Sequence, residues 1–338
     1  MGGEPVAAID LSSPVLQSIR TLVTDLIDYA GLFPPAKLAM QPAVEAYARA
    51  KGGLHEWMLG RFICPASRLE EFSKTAAPLM PGTHATSGYR EYAGISEPWR
   101  VSVLIDGDLG SALKAIETFN ERHANEDSGR AIADAIELKA ANPSEIDRFL
   151  DGLTEDLFPF VEFPAEVVNT GDVRGYVAAL AGLRAGAKIR TGGITAEAFP
   201  ACGKVAEFIA ACDGAGVPFK ATAGLHHPIR AEYPLTYDAG APCGVMHGFL
   251  NVFVSAAAVN GDERISAGDL NRCGVGRATE ILEDREASNF HFTEEGVRWN
   301  TVFVDTTRLA AAREGFALSY GSCSFDEPVE DLRKLGLL

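Results

Sequence analysis

Four short apolar segments carry charge where charge is costly: Glu137 and Lys139 in AIELKA, Glu162 in FVEFP, Lys188 and Arg190 in AKIRTGG, and Lys220 in PFKATAG. Side chains alternate along an extended strand, so Glu137 and Lys139 share one face, as do Lys188 and Arg190, while Ile136, Leu138 and Ile189 take the other. The pattern predicts strands that are apolar outside and polar inside. A parallel strand covered on both faces reads as continuous Val, Ile and Leu, so inward charge implies either mutual pairing or a ligand. Four such segments in succession predict the wall of a pocket.

Strand-like runs precede and follow these four: LGRFICP to about Cys64, VSVLID to Asp106, GFLNVFVS around Asn251, and FALSYGS to about Ser322. That gives eight. Between them GSALKAIETFNERH, SEIDRFLDGL, DVRGYVAALAGLRAG and KVAEFIAACDGAG show helical spacing of apolar residues with Gly at several exits. Eight alternations of strand and helix predict an α/β fold, a (β/α)8 TIM barrel, which a chain of 338 residues can form as one domain. Before it, residues 1–58 read as an N-terminal helical extension: SSPVLQSIRTLVTDLIDYAGLF has a helical period with Ser12 or Ser13 as cap, and Pro34-Pro35 separates it from a second helix through Tyr47. The barrel takes residues 59–338 with an insertion at about 260–312, where NFHFTEEGVRWNTV alternates about Glu295-Gly296 as a β-hairpin before the last strand.

The net charge of −16 opposes a nucleic-acid or acidic-membrane partner, since phosphate surfaces require a basic footprint. Yet the six strand charges comprise four cations and two carboxylates. A locally positive pocket in an acidic body points to a small anionic substrate, a carboxylate or a phosphate. No apolar run reaches the roughly 18 residues of a membrane span, and MGGEPVAAID lacks the pattern of a signal peptide or of an N-myristoylation site. The six cysteines form no CxxC pair and no zinc spacing, which fits a reducing cytoplasm. Cys64 and Cys323, near strand ends, read as small core residues. A homo-oligomer is compatible with the sequence.

Lys220, flanked by Phe219 and Ala221 with Thr222 on its own face, is either paired with Glu162 or Glu137 or kept partly neutral to attack a carbonyl. A second cation such as Lys188 or Arg190 at about 7 Å would cost the ammonium roughly 2.4 kcal/mol at an effective dielectric near 20. Counting strands puts Lys220 on the sixth. In this architecture the region from Leu59 to Leu338 resembles the class I aldolase type of (β/α)8 barrel, including type I dehydroquinases, in which a strand-six lysine forms a Schiff base. The resemblance implies a lyase that cleaves or dehydrates a small anionic carbonyl compound through a Lys220 imine. Lys139, Lys188 and Arg190 would then hold the anion.

Glu137 and Glu162 are either pairing partners or, against an apolar wall, acid/base groups. His226, in GLHHPIR after the Lys220 strand, is a third candidate for proton transfer, its neighbour His227 facing the other way. Asp106 is a substrate contact at a strand end or a turn and helix cap. Thr191-Gly192-Gly193 leads into ITAEAF and offers backbone N–H groups to an anion at a helix start. Gly321-Ser322 does the same before Ser324 and Glu327, which read as a capping box. Thr222, Asn251, Ser322, Gly192 and Gly193 complete the candidate substrate contacts. Cations interleaved with the carboxylates oppose a divalent metal, and GAGVPF precedes a strand and so is no dinucleotide fingerprint; no cofactor is expected. An isomerase acting by enolisation without an imine, with Lys220 as base and possible Mg²⁺ dependence, and an inert barrel binding an anionic metabolite are the alternatives.

Overall fold

In a computed structural model, residues 15–82, 97–260 and 274–338 are described. Eight parallel strands close into a barrel: β1 (Ile27–Tyr29), β2 (Leu59–Pro65), β3 (Trp99–Leu104), β4 (Ala131–Lys139), β5 (Phe158–Glu162), β6 (Gly186–Arg190), β7 (Phe219–Thr222) and, after an excursion, β13 (Ala317–Ser322). The fold is a (β/α)8 barrel with additional antiparallel sheets. Strand β13 lies between β1 and β7, so the first and last barrel strands seal the closure.

Two of the predicted elements change places. The helix that begins at Gln17 ends at Val23; Asp25 takes a left-handed φ of 49°, and Ile27–Tyr29 becomes barrel strand β1. Pairing of Ile27 with both Leu59 and Tyr320 outweighs the helical period that continues through Leu26 and Ile27. Within the expected extension, Ile27–Tyr29 therefore belongs to the barrel as its first strand. Ser12 and Ser13 lie outside the described residues. GFLNVFVS is a helix, Phe249–Val259, buried along its whole length, so its continuous apolar run reflects burial all round and not a strand. Consequently Lys220 sits on the seventh barrel strand, and Lys188 on the sixth.

The excursion between β7 and β13 carries a hairpin, β8 (Ala231–Pro234) with β9 (Cys243–Met246), and then a three-stranded sheet of β10 (Phe290–Phe292), β11 (Gly296–Trp299) and β12 (Val302–Asp305). The turn about Glu295-Gly296 joins the first two, and Thr293 N–H donates to Gly296 O at 2.9 Å. The outer helices bury the faces that their periods predict. Helix Met40–Lys51 buries Met40, Ala43, Val44 and Tyr47, and Cys202–Ala215 ends on Gly216, whose left-handed φ of 64° favours glycine. Among the described residues no helix is long and apolar enough to cross a membrane.

Candidate active site

The barrel interior is filled with ion pairs. Near the N-terminal end of the barrel, Arg61 holds Asp134 through two hydrogen bonds of 2.6 and 2.8 Å, and Arg100 adds a third at 3.0 Å. In the middle, Lys220 Nζ donates to Asp28 Oδ2 at 2.6 Å and to Glu137 Oε1 at 2.7 Å, lying 5.1 Å above the Phe160 ring. Ser319 and Ser102 hydroxyls donate to Asp28 and Glu137, and Arg61 N–H donates to Asp28 Oδ1. One layer higher, Lys188 Nζ lies 2.7 Å from Glu137 Oε2 and 2.5 Å from Glu162 Oε2.

Asp28, Lys220, Glu137, Lys188 and Glu162 thus form an unbroken series of alternating sign. Strand register creates it: Lys188 is matched with Lys220 across β6 and β7 and with Glu162 across β5 and β6, while Glu137 reaches in from β4. Burial pushes the Asp28 and Glu137 carboxyls up, but the neighbouring ammoniums, with Arg61 at Asp28, outweigh it and hold both below the usual carboxylate range. Burial likewise opposes the charge on Lys220, and Asp28 and Glu137 overcome it, raising the amine above its ordinary value. The partly neutral amine expected at Lys220 gives way to a clamped ammonium, because a carboxylate stands between it and the second cation.

Above the series opens a cavity of about 290 Å³ at the C-terminal end of the barrel, lined by Glu137, Lys139, Glu162, Lys188, Arg190, Gly193, Thr222, His226 and Cys323 with an apolar side of Phe33, Pro34, Pro35, Ile63 and Leu104. Lys220 is fully buried beneath it and is not part of its lining. Lys139 and Arg190 stand at the rim, 69% and 41% exposed, 4.0 and 3.9 Å from the same Glu162 oxygen. The three carboxylates of the series exceed its two ammoniums by one charge; the two rim cations reverse that excess. The cavity's upper part is therefore positive.

Neither a protein-family model, nor a curated protein, nor a solved structure matches this chain. The site stands on its own geometry. Several candidate contacts have other employment. Asp106 accepts from Ser67 N–H at 3.0 Å and from its hydroxyl at 2.5 Å, tying together the loops after β2 and β3. Asn251 lies inside the helix Phe249–Val259 and bonds Arg230 N–H, Ile281 O and Asp284 O. Ser322 is buried and accepts from Ser324 N–H. Gly192 packs against Phe199, and the segment after it makes only a short 3-10 turn, Ala196–Ala198, so no helix start faces an anion there. Of the expected capping box, Ser324 Oγ accepts from Glu327 N–H, but the Glu327 side chain turns to His226 and Tyr237. Among the described residues no three His, Cys, Asp or Glu side chains gather as metal ligands would.

Asp28 is the residue that sequence reasoning missed. It is a lone charge between Ile27 and Tyr29, the same signal that Glu162 gives between Val161 and Phe163, masked by the helical period around it.

Proposed function

We propose that the chain is an enzyme of the Schiff-base lyase type, cleaving or dehydrating a small anionic carbonyl compound, with Lys188 and not Lys220 as the imine-forming residue. One observation carries this: Lys188, on the sixth barrel strand, is the buried lysine that lines the cavity, and two carboxylates lie within 2.7 Å of its nitrogen. A lysine must lose a proton before it attacks a carbonyl, and Glu162 Oε2 at 2.5 Å is placed to take it. The freed amine adds to the carbonyl carbon. The resulting alcohol leaves as water when Glu162 returns the proton. The iminium then accepts the electron pair of the bond that breaks and becomes an enamine. Glu162 takes the proton released in that step and returns it to the enamine carbon in a cleavage, or to the departing hydroxyl in a dehydration, so that an iminium forms again. Water hydrolyses the imine at the end and restores the amine.

Glu137 has a different task. Held ionised between two ammoniums, it remains an anion throughout and stabilises the iminium. Lys220 secures that charge from below. At the rim Arg190 and Lys139 suit a carboxylate or phosphate of the substrate.

The complete pairing of Lys188 supports a second reading, in which it stays an ammonium and steadies an enolate formed by Glu162 acting as base. Borohydride reduction with a panel of short 2-oxo acids and aldehydes separates the two. The first reading expects a stable adduct mapped by mass spectrometry to Lys188 and absent from Lys188→Met. An adduct on Lys220 or Lys139, or none with any member of the panel, rejects it.

A further inference from the structure

We propose that His226 is a fixed anion-binding arm of the cavity, meeting the carboxylate or phosphate end of the ligand from the wall built after β7 and β13. The inference rests on the cavity being the ligand site, and not on imine chemistry.

His226 follows β7, Cys323 follows β13, and both line the cavity. The imidazole Nδ1 is occupied, 3.3 Å from Glu327 Oε2 and 3.9 Å from Cys323 Sγ. Nε2–H is then the donor left for a cavity ligand. Glu327 is fixed in turn by the Tyr237 hydroxyl, which donates to it at 2.7 Å from the tip of the β8–β9 hairpin and lies 3.5 Å from Cys323 Sγ. Three separate elements therefore hold one ring that is only 6% exposed.

Burial pushes His226 down, but the contacts with Cys323 and Glu327 raise it to about 9. The neighbouring His227 points elsewhere, 2.6 Å from Asp331 and stacked on Tyr233 at 3.6 Å, so the groups facing the His226 ring are Glu327, Cys323 and Tyr237. An imidazole charged throughout the neutral range is suited to binding an anion more than to relaying protons. In the closed barrel β7 lies three strands round from β4, so this cation stands on the far side of the mouth from Lys139.

Histidine-selective isotope labelling tests the assignment without any turnover. The His226 ring, identified by its loss in His226→Gln, should titrate above neutral pH. Inorganic phosphate or pyruvate should move its resonance saturably and raise its pKa further, and whichever probe acts names the anion class. Glu327→Gln, which keeps shape but removes charge, should bring the titration back toward neutral and weaken the probe at pH 8 roughly tenfold or more, the loss of one charged hydrogen bond. A ring resonance that neither probe moves, or equal probe affinity in Glu327→Gln, overturns the assignment. The wild-type titration decides even if a variant fails to fold. Trapping at Lys188 is read separately, so an absent adduct with an intact His226 response sinks the lyase reading alone.

Discussion

Lys188 and Lys220 occupy matched positions on neighbouring strands, and a single carboxylate, Glu137, keeps them from repelling by giving each a different oxygen at 2.7 Å. Two like charges in an apolar core are tolerable only while that carboxylate is present and ionised.

Removing it should therefore be severe. Glu137→Gln leaves two buried ammoniums facing an amide, and we expect a loss of about 3–5 kcal/mol of stability in urea unfolding, the cost of breaking a buried pair. A double change, Glu137→Gln with Lys220→Met, should recover a large part of that loss. A double variant no more stable than the single one would show that Lys220 is not the strained partner.

Lys220→Met separates the two lysines chemically. It leaves Lys188 and its carboxylates at the cavity, so borohydride trapping should still label Lys188, at a reduced rate. Loss of labelling with the fold intact by circular dichroism would return the imine to Lys220.

Arg190 stands at the rim with only a distant carboxylate partner. Arg190→Ala should weaken binding of a carboxylate or phosphate probe by about 1.5 kcal/mol in calorimetry, and the difference should shrink as salt is added. Equal affinity at low salt would remove Arg190 from the site.

Stability should form a dome in pH with its top near 6.5. His226, raised in the folded protein to about 9 from 6.5, contributes fully below 6.5 and loses that contribution as the pH rises toward 9. His247, lowered by burial to about 4, contributes fully above 6.5 and loses it as the pH falls toward 4; Asp28 and Glu137, both lowered, extend the acid side. Unfolding free energies measured from pH 4 to 9.5 check the shape. His226→Gln should flatten the alkaline limb, and an unchanged limb would assign it to another group.

Asn251→Ala offers a contrast. Its three hydrogen bonds join the loop at Arg230 to the end of the helix Val275–Glu283, away from the cavity. Stability should drop by about 2–3 kcal/mol while anion affinity is unchanged. A selective loss of affinity would return Asn251 to the ligand.

Which parts were legible in the sequence follows from length and company. Lys188 and Arg190 alternate with Ile189 in a strand flanked by glycines, so parity and position could both be read. The β1 segment Ile27–Tyr29 spans three residues and continues the apolar spacing of the helix before it; only its two barrel neighbours, remote in sequence, make it a strand. A run such as Phe249–Val259 carries no period to break the tie between buried helix and buried strand. Those two errors offset each other in the count of eight, yet they moved Lys220 one strand along and with it the choice of imine-forming lysine. Side-chain partners were less visible still, since Glu327 reads locally as a helix cap and only the hairpin fold brings Tyr237 to it.

Asp28 has further meaning for a chain emerging from the ribosome. Its partners Lys220 and Ser319 follow it by 192 and 291 residues. Until β7 emerges this carboxylate has Arg61 beside it but not the ammonium that clamps it, so the early strands bury their inner faces at less profit. Closure of the barrel awaits its last strand, since β13 is what joins β1 to β7.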